Sequence, residues 1–186
     1  MGKYVGQSVI RIDGPERVTG KTIYAPDIQF SDMLYGAVAR SSHAHALLKE
    51  IRTEKARRSP GVRAVITGDM LPYMFGSMIA DQPFLAKDRV RYNGEPIALV
   101  IAESELEAQM AADAIEASYE DLPAVFDVFE ALKDDAPLVH EDQHAYRRDP
   151  ARYPALDHTN ICNETSYELG DVEKAFAQAD HVFEHC

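Results

Sequence analysis

Apolar and polar positions follow two periods along this chain. Residues 33–40 (MLYGAVAR) and 46–52 (ALLKEIR) are short apolar runs separated by polar Ser41-Ser42-His43-Ala44-His45, the outline of two strands. Thr53 is placed to cap a short helix through Arg58, ended by Pro60-Gly61, before Val62-Arg63-Ala64-Val65-Ile66 alternates like a further strand. Residues 67–89, rich in Met, Pro, Gly and Asp, read as irregular apart from one helical turn near Asp69 to Leu71. Val90-Arg91-Tyr92 then leads through an Asn93-Gly94 turn into the apolar strand Pro96 to Ala102, with proline at its start, where no ladder donor is lost. Ser104 as N-cap with Glu107 three residues on is a capping-box signal. Leu106, Met110 and Ala114, widened by Ala111 and Ile115, predict the face that this helix lays on a sheet. Ala117-Ser118-Tyr119-Glu120 returns as a strand.

Beyond Asp121 the pattern weakens. Pro137, Pro150 and Pro154 with Arg147-Arg148-Asp149 predict an exposed connector across 126–159. Order resumes at Asn160, and Gly170-Asp171 opens a last helix with Val172, Ala175, Phe176 and Ala179 on one face, followed by a strand beginning at His181-Val182-Phe183-Glu184. So apolar a strand at an unprotected end predicts that the chain is one piece of a longer or split protein. Two strand–helix–strand units predict an α+β or α/β domain with a mixed sheet over roughly 16–125.

Composition narrows the partners. The 186 residues are 46% hydrophobic and 27% charged, ordinary values for a globular domain. The net charge of −12 argues against nucleic acid and anionic membrane, which need clustered Lys and Arg. Residues 1–102 carry a net +4 and residues 103–186 a net −16, so a free-standing module whose acidic half docks a basic partner is one reading. No signal-peptide apolar block follows Met1-Gly2-Lys3-Tyr4, and the two cysteines, Cys162 and Cys186, form no disulfide framework; both observations predict a cytoplasmic protein.

Candidate chemistry is sparse. His140-Glu141-Asp142-Gln143-His144 satisfies H-E-x-x-H, which on a helix holds zinc between two imidazoles with the glutamate as general base, and Glu164 is a candidate third ligand for a small zinc metallopeptidase. The context weighs against it, because Asp142 and Gln143 fill the variable positions and Pro137 lets the helix start only just before its first ligand. His43 and His45 share a side if extended but have no nearby Cys or acidic ligand, so a surface or interface pair is the stronger reading. Ser41 and Ser42 beside His43 do not set triad geometry. No glycine-rich phosphate loop or G-x-S-x-G is present. Met70, Met74 and Met78, spaced by four, and Tyr73, Phe75, Phe84, Tyr92, Tyr119, Phe126 and Phe129 are expected to pack in the core or anchor turns.

Taken together, several segments resemble one family. Arg17-Val18-Thr19-Gly20-Lys21-Thr22-Ile23-Tyr24, Leu34-Tyr35-Gly36-Ala37, Arg40-Ser41-Ser42-His43-Ala44-His45-Ala46, Pro60-Gly61-Val62-Arg63-Ala64-Val65, Val90 to Ala98 and Tyr119 to Val125 are similar, in order, to the N-terminal α/β-hammerhead domain of the molybdenum-binding subunit of the xanthine dehydrogenase/aldehyde oxidase family. Pro137 to Glu141, Asn160-Ile161, Gly170 to Phe176 and Ala179 to Val182 resemble the linker and opening of that family's molybdopterin-binding region. Ser42 stands where the family often has proline. The resemblance implies an N-terminal arm over 1–15, a hammerhead domain over 16–125, a connector over 126–159 and a truncated start of a second domain over 160–186. It further implies a molybdenum hydroxylase that, once assembled, hydroxylates an aldehyde or N-heterocycle oxidatively. The molybdopterin-type cofactor, iron–sulfur clusters and FAD would belong to the assembled enzyme, whose partners are the remainder of this subunit and the iron–sulfur and flavin subunits or domains. The family's catalytic glutamate falls beyond Cys186, so no catalytic, cofactor-binding or metal-binding residue is assigned here, and the isolated chain is expected to be inactive. Arg17, Arg40, His43, His45 and Glu95, polar residues at turns in the matching motifs, are the expected interface contacts.

Overall fold

The computed structural model describes residues 4–185, so residues 1–3 of the expected arm and Cys186 lie outside the described residues. Its elements, in chain order, are α1 (Gly14–Val18), β1 (Tyr35–Arg40), β2 (Ala46–Arg52), α2 (Glu54–Arg57), β3 (Val62–Thr67), the short strands β4 (Met74–Phe75), β5 (Ile79–Ala80), β6 (Gln82–Pro83) and β7 (Arg89–Val90), then β8 (Pro96–Ala102), α3 (Glu105–Asp113), β9 (Glu116–Asp121), α4 (Val128–Ala131), β10 (Arg147–Arg148) and α5 (Val172–Gln178). No helix among the described residues is long and apolar enough to cross a membrane.

Two three-stranded sheets, ordered β1-β8-β3 and β7-β2-β9, carry the core. Every ladder within them and in the two small ribbons is antiparallel, which corrects the expected mixed sheet. The reason lies in the crossovers. The strand–helix–strand units β2-α2-β3 and β8-α3-β9 each leave one sheet and arrive in the other, so neither helix joins parallel neighbours of a single sheet. The Asn93-Gly94 turn acts in the same way: Val90 pairs with Ala46 in one sheet, whereas the strand after the turn is the centre of the other. It is therefore not a hairpin. Gly94 takes φ +92°, which L side chains rarely adopt, and its N–H bonds the Ser41 carbonyl at 2.8 Å.

β8 is central and nearly all apolar because it is paired on both edges and covered by α3. Val65, Val90 and Val100 are the largest fully buried side chains, and alanines fill most of the remaining core. Half of the expected capping box forms: the Ser104 hydroxyl accepts from the Glu107 N–H at 3.3 Å, while the Glu107 carboxylate takes the Ser104 hydroxyl at 2.8 Å rather than the Ser104 N–H. The expected face of α3 is only partly right. Ala108, Ala111 and Ala112 are buried and Ile115 packs on the core, while Leu106 is 70% exposed and Met110 63%. The helix therefore meets β1 and β8 through its small residues, and the close approach leaves no room for Leu or Met.

Four further expectations are corrected. Thr53 makes no cap bond; its hydroxyl instead accepts from Arg57, whose guanidinium also bonds the Val65 carbonyl and ties α2 to β3. The methionine stripe is not helical, and Met70, Met74 and Met78 are exposed. Of the aromatic residues expected to be core or turn anchors, Tyr73, Phe75, Phe84, Tyr92, Phe126 and Phe129 are exposed, and Tyr119 packs against the core. Residues 181–184 form no strand, with Phe183 93% exposed, since no described strand lies beside them to supply a ladder.

Candidate functional site: a polar cluster beside the Gly94 turn

Three loops meet where β1 ends. The Ser41 N–H bonds the Glu95 carbonyl at 2.9 Å, Arg40 donates to the Gly94 carbonyl at 2.9 Å, and the Leu122 N–H bonds the His45 carbonyl at 2.9 Å. Segments 40–45, 91–95 and 121–125 are thereby fixed against one another. Four of the residues singled out in the sequence, Arg40, His43, His45 and Glu95, gather here. Arg17 does not: it sits on α1 and pairs with Asp13 at 2.7 Å.

Each member of the cluster has its own partners. His43 donates to Asp121 at 2.6 Å and lies on Tyr119 with ring centroids 4.1 Å apart. His45 is buried, and its Nδ1 donates to the Pro123 carbonyl at 2.7 Å, which fixes the tautomer and leaves Nε2 sealed and without a partner. The two imidazoles are thus committed to different acceptors, and the described residues contain no group of three or more His, Cys, Asp or Glu able to hold a metal ion. Glu95, 3% exposed, accepts the Arg91 N–H at 2.5 Å and has no ion-pair partner among the described residues. Burial pushes its pKa above the ordinary carboxylate value, against the opposing pull of the Arg91 and Tyr92 amides and of the Arg91 and His45 charges.

Arg91, which the sequence did not single out, is the hub. Its Nε donates to the Val139 carbonyl at 3.1 Å and brings residues 137–140 onto the turn. The 126–159 segment, expected to be exposed, is pinned down by two amides that local patterning could not reveal. Asn160 accepts from Val139 and donates to the Ala131 and Pro137 carbonyls, and buried Gln143 donates to the Thr159 and Ile161 carbonyls. β10 pairs with β5 alongside.

This packing removes the zinc motif. Residues 138–147 contain a 3-10 turn at Gln143–Ala145 and the first residue of β10, and no α-helix. His140 bonds the Tyr146 hydroxyl at 2.6 Å, Glu141 pairs with Arg89 at 2.9 Å, His144 donates to Asp157 at 2.7 Å, and Glu164 is exposed. The motif's residues face different partners. Burial first, then the Arg91 charge, lowers the His140 pKa, so its ring stays neutral at physiological pH.

Between these loops lies a cleft of about 510 Å³, walled by Phe75, Phe84, Tyr92, Asp81, Glu95, Arg91 and His140. Phe75 and Phe84 are stacked at 4.8 Å. The family model "Aldehyde oxidase and xanthine dehydrogenase, a/b hammerhead domain" matches residues 19–123. The chain belongs to the aldehyde oxidase and xanthine dehydrogenase family.

It is 38% identical over 95% of its length to a probable xanthine dehydrogenase subunit of Bacillus subtilis, and 37% identical over 99% to the nicotinate dehydrogenase large molybdopterin subunit of Eubacterium barkeri. It spans 22% and 41% of those two relatives. The crystal structure of the Cu,Mo-CO dehydrogenase superposes with a TM-score of 0.68 at 36% identity, over 72% of this chain and 17% of that one. These family relatives are oxidoreductases, and the fold is α+β. A pterin cofactor with its phosphate calls for converging N–H groups or cations. The cleft beside Glu95 sets one cation, Arg91, whose Nε is already bonded to the Val139 carbonyl, against the carboxylates of Glu95 and Asp81, so its residues do not fit that group.

Proposed function

We propose that this chain is the hammerhead-bearing part of a molybdenum hydroxylase large subunit, and that the assembled enzyme hydroxylates an aldehyde or an aromatic N-heterocycle with release of electrons. The molybdopterin cofactor would be held by polypeptide that the relatives carry outside the shared segment, with iron–sulfur clusters and FAD on partner subunits or domains, where the redox chemistry resides. This chain supplies a rigid layer and contact surface, with Arg40 and the 40–45 loop at the junction. The observation that carries the reading is the alignment of nearly the whole chain with subunits of this family's enzymes, one of them named a large molybdopterin subunit.

The apolar surface of the two ends agrees with it. Ile10, Ile12, Val18 and Phe30 before β1, and Tyr167, Leu169 and Phe183 after residue 160, are all exposed, as side chains that pack on further polypeptide would be. The test is to tag the chain in its native host and purify it. Co-purifying polypeptides with stoichiometric molybdenum and aldehyde- or heterocycle-dependent dye reduction are expected. A molybdenum-free monomer under the same conditions overturns the reading.

A further inference from the structure

Glu95 poses a question that the fold alone does not answer. A carboxylate removed from water ordinarily has a counter-ion, because desolvating an unpaired charge is costly. Glu95 is buried, is held by the backbone amides of Arg91 and Tyr92, and forms no ion pair with Lys or Arg among the described residues. It lies in the wall of the cleft of about 510 Å³, together with a second carboxylate, Asp81.

The Arg91 and His45 charges favour the ionised form of Glu95, but neither forms an ion pair with it. The Arg91 guanidinium bonds Val139 and acts also on His140 and Tyr146. His45 directs its Nδ1 at the Pro123 carbonyl, and its buried Nε2 makes no hydrogen bond. His140 is held neutral. The stacked Phe75 and Phe84, and Tyr92, all partly exposed, form the aromatic part of the remaining wall, beside Gln82, Pro83, Pro96 and Val139. Ring faces and carboxylates together favour a flat positive group, through cation–π attraction on one side and charge-assisted hydrogen bonds on the other.

We propose that this cleft binds a small planar organic cation bearing N–H donors, such as an amidinium, which pairs with the Glu95 carboxylate between the Phe75–Phe84 stack and Tyr92. Its volume suits a single-ring ligand, and this binding does not depend on the molybdenum chemistry.

Titrating the full chain with benzamidinium, its neutral isostere benzamide and benzoate, followed by calorimetry and by NMR shifts of the Phe84 and Tyr92 amides, tests the site. Benzamidinium is expected to bind at least tenfold more tightly than benzamide at pH 8, with benzoate weakest. Glu95→Gln should remove that advantage while thermal unfolding shows the fold intact, and Asp81→Asn should reduce it about threefold. Lowering the pH should shrink the advantage as the Glu95 carboxylate is protonated. Equal binding of benzamidinium and benzamide, binding of none of the three at millimolar concentration, or an advantage that survives Glu95→Gln each overturns the proposal.

Discussion

Glu95 carries its carboxylate inside the protein, where burial raises its pKa despite the amides of Arg91 and Tyr92 and the charges nearby. The folded state therefore holds this proton more tightly than the unfolded chain does. The resulting stabilisation is complete below the unfolded carboxylate pKa and is lost as pH rises through the raised folded value. Glu95→Gln keeps an acceptor for the Arg91 N–H and carries no charge. It is expected to unfold at a higher temperature than the parent at pH 8, with the difference vanishing near pH 4; a parent at least as stable at pH 8 would contradict this. Gly61 is the second residue with a sharp requirement. It takes φ +70°, and a Cβ there would fall on the Glu107 carboxylate that belongs to the Ser104 cap. Gly61→Ala should cost about 1–2 kcal/mol from the left-handed backbone alone, measured by urea unfolding, and pairing it with Glu107→Ala should recover only the steric part. The Ser104 cap could be read from the chain because it spans three residues. The environment of Glu95 could not: its amide partners, Arg91 and Tyr92, are local, but His45 and Val139, which complete its surroundings, come from segments far away in sequence.

At the scale of elements, α3 decides how the sheets are covered. Periodicity located the helix and one edge of its buried face, Ala111 and Ile115, but hydrophobicity weighted Leu106 and Met110 too heavily. Packing selected alanine instead, because a helix lying across β1 and β8 at close range buries more backbone and leaves fewer voids when its contact residues are small. Ala111→Leu should therefore destabilise by about 1–3 kcal/mol through overpacking, whereas Leu106→Ser should stay within about 0.5 kcal/mol of the parent. Chemical unfolding of the two variants side by side checks the orientation; a larger loss for Leu106→Ser would place the wrong face against the sheet. The strands β1, β2, β3, β8 and β9 lie close to where alternation and turn residues put them. Which sheet each strand joined was not legible, because the helices and the Gly94 turn set the partners and these connections carry no signature of their destination.

At the scale of the molecule, the apolar surface at both ends and the family membership point the same way. In the proposed assembly Arg40, whose guanidinium holds the Gly94 carbonyl, fixes the turn beside the junction. Arg40→Ala is expected to lower recovery of the co-purified complex several-fold while leaving the thermal unfolding of the chain almost unchanged; full recovery with full activity would remove Arg40 from that role. Limited proteolysis offers an independent check. Cleavage of the chain alone is expected before residue 34 and after residue 160, with protection of both ends in the complex. Equal cleavage in the two preparations would show that these ends are not covered.

By itself the sequence determined the local structure: the strands with their alternating faces, the Ser104-capped helix, the special backbone at Gly61 and Gly94, and an ordered set of motifs specific enough to identify the family. Each of these is fixed by interactions between residues close in the chain, or by a pattern that repeats within one element. Tertiary structure alone decided that all the described ladders are antiparallel, that alanines seat α3, that the H-E-x-x-H residues disperse to Tyr146, Arg89 and Asp157, and that Glu95 is buried with no ion-pair partner among the described residues. Those outcomes depend on which distant surfaces meet and how much water they exclude, and that is settled only when the whole chain has packed.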